Sequence, residues 1–204
     1  MGEINPEKFL TKADPVIGRL IQQFGPCGLK PQARRSPFES LARAIANQQL
    51  NGKAAETILG RFIKLFPGRK FPRPEDLATV TDDMIRGAGF SFAKVAAIRD
   101  LAAKSLCGIV PESRAIRLLS DEEIIERLVE VRGIGRWTVE MLLIFQLGRP
   151  DILAVDDFGL RRGFAAAYGR KELPKPKELL AYGERWRPYR TIASWYLWRA
   201  AEAA

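Results

Sequence analysis

The sequence predicts an all-α fold. Apolar residues recur every three or four positions along most of its 204 residues, and helix-start signals stand directly before several of these runs. No alternating pattern of strand length interrupts them, apart from the brief Ile152-Leu153-Ala154-Val155.

Taken in order, Ser36-Pro37-Phe38-Glu39 reads as a capping box with proline at the first helical position, and Phe38, Leu41, Ala42 and Ile45 form the apolar face behind it. The polar break Asn47-Gln48-Gln49 leads to a second helix through Ala55, Ile58, Leu59, Phe62 and Phe66, which stops at Pro67-Gly68. Phe71-Pro72-Arg73-Pro74 is a connector too short to be a domain linker. Thr81-Asp82-Asp83-Met84 opens a short helix ending at Gly87-Ala88-Gly89, and Ser91 caps the next, with Val95, Ile98, Leu101 and Ala102 on its apolar side. A second capping box, Ser120-Asp121-Glu122-Glu123, leads through Ile124, Leu128 and Val129 into a glycine turn and then a helix from Arg136 to Gly148. Two more helices are expected, Phe158 to Tyr168 and Thr191 to Ala203, with Pro174 and Pro176 in the connection.

Composition narrows the partner and the chemistry. The net charge of +9 and pI near 9.8 favour an anionic partner, nucleic acid or a lipid surface. No apolar run approaches the roughly 18 residues needed to span a bilayer, and Met1 to Pro6 lacks a signal-peptide core. The expectation is therefore a soluble intracellular protein with no membrane partner, cytoplasmic or, in a eukaryote, nuclear. Cys27 and Cys107 stand apart and histidine is absent, which argues against a transition-metal site and excludes Ser-His and Cys-His nucleophile pairs. Acid–base work falls to carboxylates, Lys or Tyr.

Two segments carry the functional signal. Val131-Arg132-Gly133-Ile134-Gly135-Arg136-Trp137-Thr138 is a glycine turn running straight into a helix, with both glycines free to take positive backbone angles and unpaired N–H groups suited to an anion. Val155-Asp156-Asp157-Phe158 then presents a carboxylate. Each has an ordinary structural explanation: glycine turns often join packed helices, Asp157 can simply cap the next helix, and Trp137, Trp186, Trp195 and Trp198 can all be core. A capping carboxylate is nevertheless ionised and rigidly aimed, as a site facing a developing cation requires, and an aromatic pocket can stack on an extruded, positively charged base.

The run Leu128 to Phe145, together with Asp151-Ile152-Leu153-Ala154-Val155-Asp156-Asp157-Phe158, resembles the helix-hairpin-helix DNA glycosylases whose Gly/Pro-rich loop ends in a catalytic aspartate (HhH-GPD). Within them it is similar to the 3-methyladenine DNA glycosylase II branch. The resemblance extends over Phe38-Glu39 to Gln48-Gln49-Leu50, Gly89-Phe90-Ser91-Phe92-Ala93-Lys94 and Glu184-Arg185-Trp186-Arg187-Pro188-Tyr189-Arg190 to Trp198. It implies one HhH-GPD unit over residues 1–204, with one lobe near 1–50 plus 150–204 and another near 51–149 that contains the hairpin motif at 121–148. The active site is expected in the cleft between the lobes.

By position, the resemblance implies that Asp157 is catalytic, that Asp156 supports the loop, and that Trp137, Met141 and Trp198 line the base pocket. It assigns DNA contacts to Arg132, Gly133, Ile134, Gly135, Arg136, Thr138 and Lys53, and the residue that fills the gap left by a flipped base to Gln48, Gln49 or Leu50. Trp137 stands where strand-cleaving relatives carry a Schiff-base lysine, so base release without strand cleavage is implied. No cofactor is implied, although hairpin carbonyls are a candidate seat for a monovalent cation. The implied partner is duplex DNA carrying alkylated bases, bound by a monomer. A non-catalytic DNA-binding module and a glycosylase for another damaged or mispaired base remain alternatives.

Overall fold

The computed structural model describes residues 5–50 and 52–204, and among them there are helices and no strands. The helices are α1 (Pro6–Ala13), α2 (Pro15–Phe24), α3 (Pro37–Asn47), α4 (Gly52–Lys64), α5 (Asp82–Gly87), α6 (Phe92–Leu106), α7 (Asp121–Leu128), α8 (Arg136–Leu142), α9 (Phe158–Ala167), α10 (Pro176–Gly183) and α11 (Arg190–Ala203). Ile152 to Val155 forms no strand; the Val155 N–H bonds back to the Leu153 carbonyl.

The described residues divide into two compact units. One holds the chain up to Pro31 with Leu143–Ala204, and the other holds Gln32–Leu142. This moves the expected lobe boundaries at 50 and 150. α3 belongs with the second unit, where its apolar face packs on α6, α4 and α8.

In the first unit α9 lies against α11, with α2 and α1 completing the layer around Leu10, Ile17, Leu160, Phe164, Trp186, Tyr196 and Leu197. The α9–α11 crossing is tight. A Cβ added to Gly163 would fall 1.8 Å from the Leu197 carbonyl oxygen, so only glycine permits this approach. The same core contains a buried carboxylate. Asp14 caps α2 through the Val16 and Ile17 N–H groups at 2.9 and 3.4 Å, and its second oxygen accepts from the Tyr168 hydroxyl at 2.5 Å and Trp186 Nε1 at 2.9 Å. Burial, reinforced by the bond to Asp14, pushes the Tyr168 hydroxyl well above its ordinary pKa.

Asp14→Asn would set an amide N–H against the indole N–H of Trp186. We expect it to cost about 1.5–3 kcal/mol, the worth of a hydrogen bond to a charged group. A lowered urea midpoint with an unchanged slope would report that loss; a midpoint equal to the wild type would refute it.

In the second unit Phe62 gathers the aromatic core, with ring centroids 5.3 Å from Phe66 and 5.2 Å from Phe90. Ser36 and Ser91 cap α3 and α6 through the Glu39 and Lys94 N–H groups. Ser120 and Glu123 form the reciprocal capping box at α7, as expected. Ser36 makes only half of one, because the Glu39 side chain turns to Arg43 at 2.9 Å.

Three helices lie outside the sequence reading: α1, α2 and α10. Each has proline in its first turn, and at α10 Pro176, expected in a connection, is that proline. The helix expected from Arg136 to Gly148 is α-helical only to Leu142, where the chain passes between units. Leu143–Leu147 continues as a wider π-turn.

Candidate active site

Asp157 sits at the start of α9, where the chain leaves the 148–156 loop. Its Oδ1 accepts the Leu160 N–H at 2.6 Å and Trp198 Nε1 at 2.8 Å. It caps the helix, and the same oxygen is held by the indole, so the carboxylate is fixed in orientation. The close α9–α11 crossing brings Trp198, on α11, to the start of α9. The opposite pressure on the indole comes from the π-turn. Phe145 stacks on Trp198 at 5.6 Å with 27° between planes and remains 40% exposed, which leaves an aromatic surface beside a carboxylate.

The loop before Asp157 is held by residues the sequence reading missed. Arg190 forks onto Asp151 with Nε–Oδ1 at 2.8 Å and Nη2–Oδ2 at 3.0 Å, and also bonds the Asp151 carbonyl at 2.8 Å. Arg187 adds a contact to Asp151 at 3.1 Å, and Thr191 Oγ1 accepts the Ile152 N–H at 2.9 Å. Asp156 does not share this work. It is exposed, and its carboxylate has no hydrogen-bond or ion partner among the described residues.

The second unit carries the hairpin. α7 and α8 flank the turn 129–135, with Val131 and Ile134 buried beneath it and Arg132 exposed above. Gly133 has φ +77°, in the left-handed region; Gly135 does not enter that region. Among the described residues the Gly133 and Gly135 N–H groups donate to nothing in the chain, whereas the Arg132 N–H is taken by Asp100 Oδ2 at 2.7 Å.

Several expected contacts look different in three dimensions. Arg136 is committed to carboxylates, forking onto Glu122 at 2.9 and 3.1 Å and reaching Glu140 at 3.2 Å. The Glu122 bonds, ahead of desolvation and the remaining charges, leave its guanidinium pKa raised. Thr138 is buried with its N–H bonded to Gly135 O at 3.0 Å, and the Ile134 side chain is buried beneath the turn. Lys53 is exposed in the first turn of α4. Trp137 is 46% exposed and Met141 half-buried on α8, and both belong to the hairpin's unit, whereas Trp198, Asp156 and Asp157 belong to the other.

Gln48, Gln49 and Leu50 form the turn after α3. Gln48 Nε2 bonds the Gly133 carbonyl at 2.8 Å, and Gln49 takes φ +59°, a left-handed conformation costing roughly 1 kcal/mol for a residue with a Cβ. Gln49 and Leu50 are exposed at its tip.

No cluster of His, Cys, Asp and Glu suited to a metal ion occurs among the described residues. Of the hairpin carbonyls, Gly133 O accepts from Gln48 and Glu130 O from Lys104 Nζ. Each of those two oxygens therefore already accepts one side-chain donor. A cavity of about 770 Å³ in the second unit, bordered by Phe38, Phe71, Val110 and Arg114, contains none of the candidate residues.

Residues 42–188 match the family model of the HhH-GPD superfamily base excision DNA repair proteins. The chain belongs to this superfamily. Its relatives include the DNA-3-methyladenine glycosylase 1 of Schizosaccharomyces pombe, 39% identical over 171 residues that cover 84% of this chain and 75% of that one. The putative DNA-3-methyladenine glycosylase YfjP of Bacillus subtilis is 33% identical, over 82% of this chain and 60% of its own. Among solved structures, a DNA-3-methyladenine glycosidase from Bacillus halodurans superimposes with a TM-score of 0.88 at 36% identity, covering 98% of this chain and 90% of that one. The S. pombe 3-methyladenine DNA glycosylase, solved with abasic DNA, gives 0.83 at 37% identity over 95% of each chain.

In this HhH-GPD chain the superfamily's two named parts are the 129–135 hairpin and the loop that Asp157 closes. Phe145 had a sequence signal, falling four residues after Met141 on one apolar stripe. Asp151 and Arg190 had none, since 39 residues separate them.

Proposed function

We propose that this protein is a monofunctional DNA glycosylase that extrudes alkylated purines of the 3-methyladenine and 7-methylguanine type from duplex DNA and hydrolyses their glycosidic bond. The observation that carries the reading is Asp157, an ionisable carboxylate fixed by two donors, one of them an indole whose face is stacked on a partly exposed Phe145. Membership of the HhH-GPD superfamily and the names of the relatives support it.

Breaking the C1′–N bond places positive charge on the sugar in an oxocarbenium-like transition state. Asp157 opposes that charge and orients a water whose oxygen bonds to C1′, its proton passing to the carboxylate or solvent. A purine alkylated at N3 or N7 is already cationic and takes the bonding electron pair as it leaves neutral, so no strong general acid is needed. This accords with a chain that has no histidine. Extrusion costs a few kcal/mol of stacking and pairing, less for a damaged base. Trp137, Met141 and Trp198 are the proposed base contacts, and a cationic base gains from aromatic faces. Trp137 supplies no amine for a Schiff base, so strand cleavage does not follow. Arg132, Lys53 and the hairpin N–H groups are the proposed phosphate contacts, and Gln49 or Leu50, exposed at the turn, the proposed plug. The protein acts as a monomer in the compartment that holds the chromosome.

Incubation with methylated duplex and chromatography of the supernatant tests this. Free 3-methyladenine or 7-methylguanine, with strands intact until alkali is added, is the expected result. Binding without release would identify a non-catalytic module, and release of only a deaminated or oxidised base would move the substrate class. Affinity is also expected to fall steeply between 50 and 200 mM salt, by about tenfold or more for a few phosphate contacts. A flat salt profile would remove the phosphate grip.

Trp198→Phe keeps a ring against Phe145 and removes the N–H that Asp157 accepts. Single-turnover base release is expected to slow about tenfold or more, the scale of one hydrogen bond to a charged group. An unchanged rate would show that the carboxylate is held without the indole N–H.

A further inference from the structure

One face of α6 is devoted to two turns of the second unit, the one after α3 and the hairpin. Lys94, Ala97, Asp100 and Lys104 follow one another at helical spacing, and each meets either the turn after α3 or the hairpin. Lys94 Nζ donates to the carbonyls of Ala46 and Gln48, both at 2.8 Å. Ala97 lies under Gly133, 3.7 Å from where a Cβ on that glycine would stand. Asp100 accepts the Arg132 N–H at 2.7 Å and pairs with Lys104 at 3.1 Å, and Lys104 reaches the Glu130 carbonyl. The two turns are also joined directly, by Gln48 Nε2 on the Gly133 carbonyl at 2.8 Å.

Lys94 is the member whose chemistry is least explained by the fold alone. Its ammonium pairs with no carboxylate among the described residues and is spent on two backbone oxygens at the end of α3. Partial burial lowers its pKa, so the charge is held there against a desolvation penalty. The next residue after the clamped Gln48 is Gln49 in its left-handed conformation, with Leu50 exposed beside it. The side chains at the tip therefore project from a backbone pinned on one side by Lys94 and on the other by the hairpin.

We propose that Lys94 is a positioning residue for base extrusion, clamping the Gln48–Leu50 turn to the hairpin so that DNA gripped at the hairpin meets the plug in fixed register. This rests on the glycosylase reading above and adds to it a residue that touches neither DNA nor the reacting atoms. A simple helix C-cap would stabilise the fold and do nothing more. A register clamp predicts a defect in flipping that exceeds any loss of folding or of duplex affinity.

The experiment compares the wild type with Lys94→Met, which keeps the apolar stem and removes the donor, and with Gln48→Met, which breaks only the link to Gly133. Three quantities are read for each: affinity for undamaged duplex, fluorescence of 2-aminopurine placed as the target nucleotide in duplex DNA, and single-turnover base release from methylated DNA. Melting temperature is taken alongside. The expected result for Lys94→Met is undamaged-duplex affinity within about twofold of wild type, with the fluorescence gain and the release rate both down about tenfold or more. Gln48→Met should show a smaller fall in the same two quantities. The double variant should be no worse than Lys94→Met, because both act through one turn.

A folded Lys94→Met that flips and releases like the wild type overturns the proposal. So does one whose losses of affinity, flipping and release run in parallel with its melting temperature. If Lys94→Met does not fold, Gln48→Met decides on the same readouts. A wild type that flips 2-aminopurine but releases no alkylated base sinks the glycosylase reading, and the fluorescence arm still decides the clamp. A wild type that does neither overturns both.

Discussion

Asp157→Asn is expected to bind methylated duplex as tightly as the wild type and to release its bases about 10²–10³-fold more slowly, the scale on which one aimed charge or dipole stabilises a transition state. The prediction follows from where the two donors point. Both the Leu160 N–H and Trp198 Nε1 bond to the same oxygen, Oδ1, and an asparagine carbonyl can accept both without moving. What asparagine lacks is the negative charge that opposes the oxocarbenium ion. Asp157→Ala should lose the same activity and, with the cap gone, about 1 kcal/mol of stability as well. The pair of variants separates charge from architecture. Full base release by Asp157→Asn would place the chemistry elsewhere in the chain. An inactive Asp157→Asn that also melts like Asp157→Ala would mean that the amide does not keep the cap.

The second large effect concerns a residue with no polar chemistry. Gly163→Ala would drive a methyl group to 1.8 Å from the Leu197 oxygen and 2.6 Å from its carbonyl carbon, atoms of an α11 backbone that cannot rotate aside as a side chain would. The two helices must part, at a cost of about 3 kcal/mol, the upper end of typical overpacking. For a chain of this length that lowers the melting temperature by roughly 6–12 °C. Because α9 begins at Asp157 and α11 carries Trp198, parting them also stretches the indole–carboxylate bond, so base release should fall more than duplex affinity. A variant melting within a degree or two of wild type would show that the crossing relaxes at little cost.

Much of this molecule was legible in the sequence because its signals are local. The Ser120–Glu123 box, the Ser91 and Thr81 caps and the hairpin glycine all act within three or four residues of themselves, and they stand where the pattern put them. Asp157 could be read as a cap for the same reason. What the pattern misassigned was Pro176, placed in a connection although it opens α10. Pro6, Pro15 and Pro176 each stand in the first turn of a helix, where the missing N–H costs nothing, but between Lys175 and Lys177 the last of them looks like an interruption in sequence.

The remaining gaps are long-range. Nothing in Asp151 announces Arg190, nor in Lys94 the carbonyls of Ala46 and Gln48, since such pairings depend on the tertiary fold. Arg136 has partners of the same kind: its place beside the hairpin suggested a phosphate contact, and only the fold reveals Glu122 and Glu140 around it. The π-turn at Leu143–Leu147 has no sequence marker either; it falls where the chain passes from one unit to the other.

One oxygen of Asp157 holds both the helix cap and the indole, and under the proposed chemistry this has a consequence for how such proteins diverge. Aspartate and asparagine cap helices about equally well, so on the proposed mechanism exchanging them would silence the reaction while leaving the scaffold intact. Selection for folding alone would not resist that exchange. A silent reader of damaged DNA, able to flip and mark a lesion but unable to cut it out, therefore lies one substitution from this enzyme, with no unstable intermediate on the way.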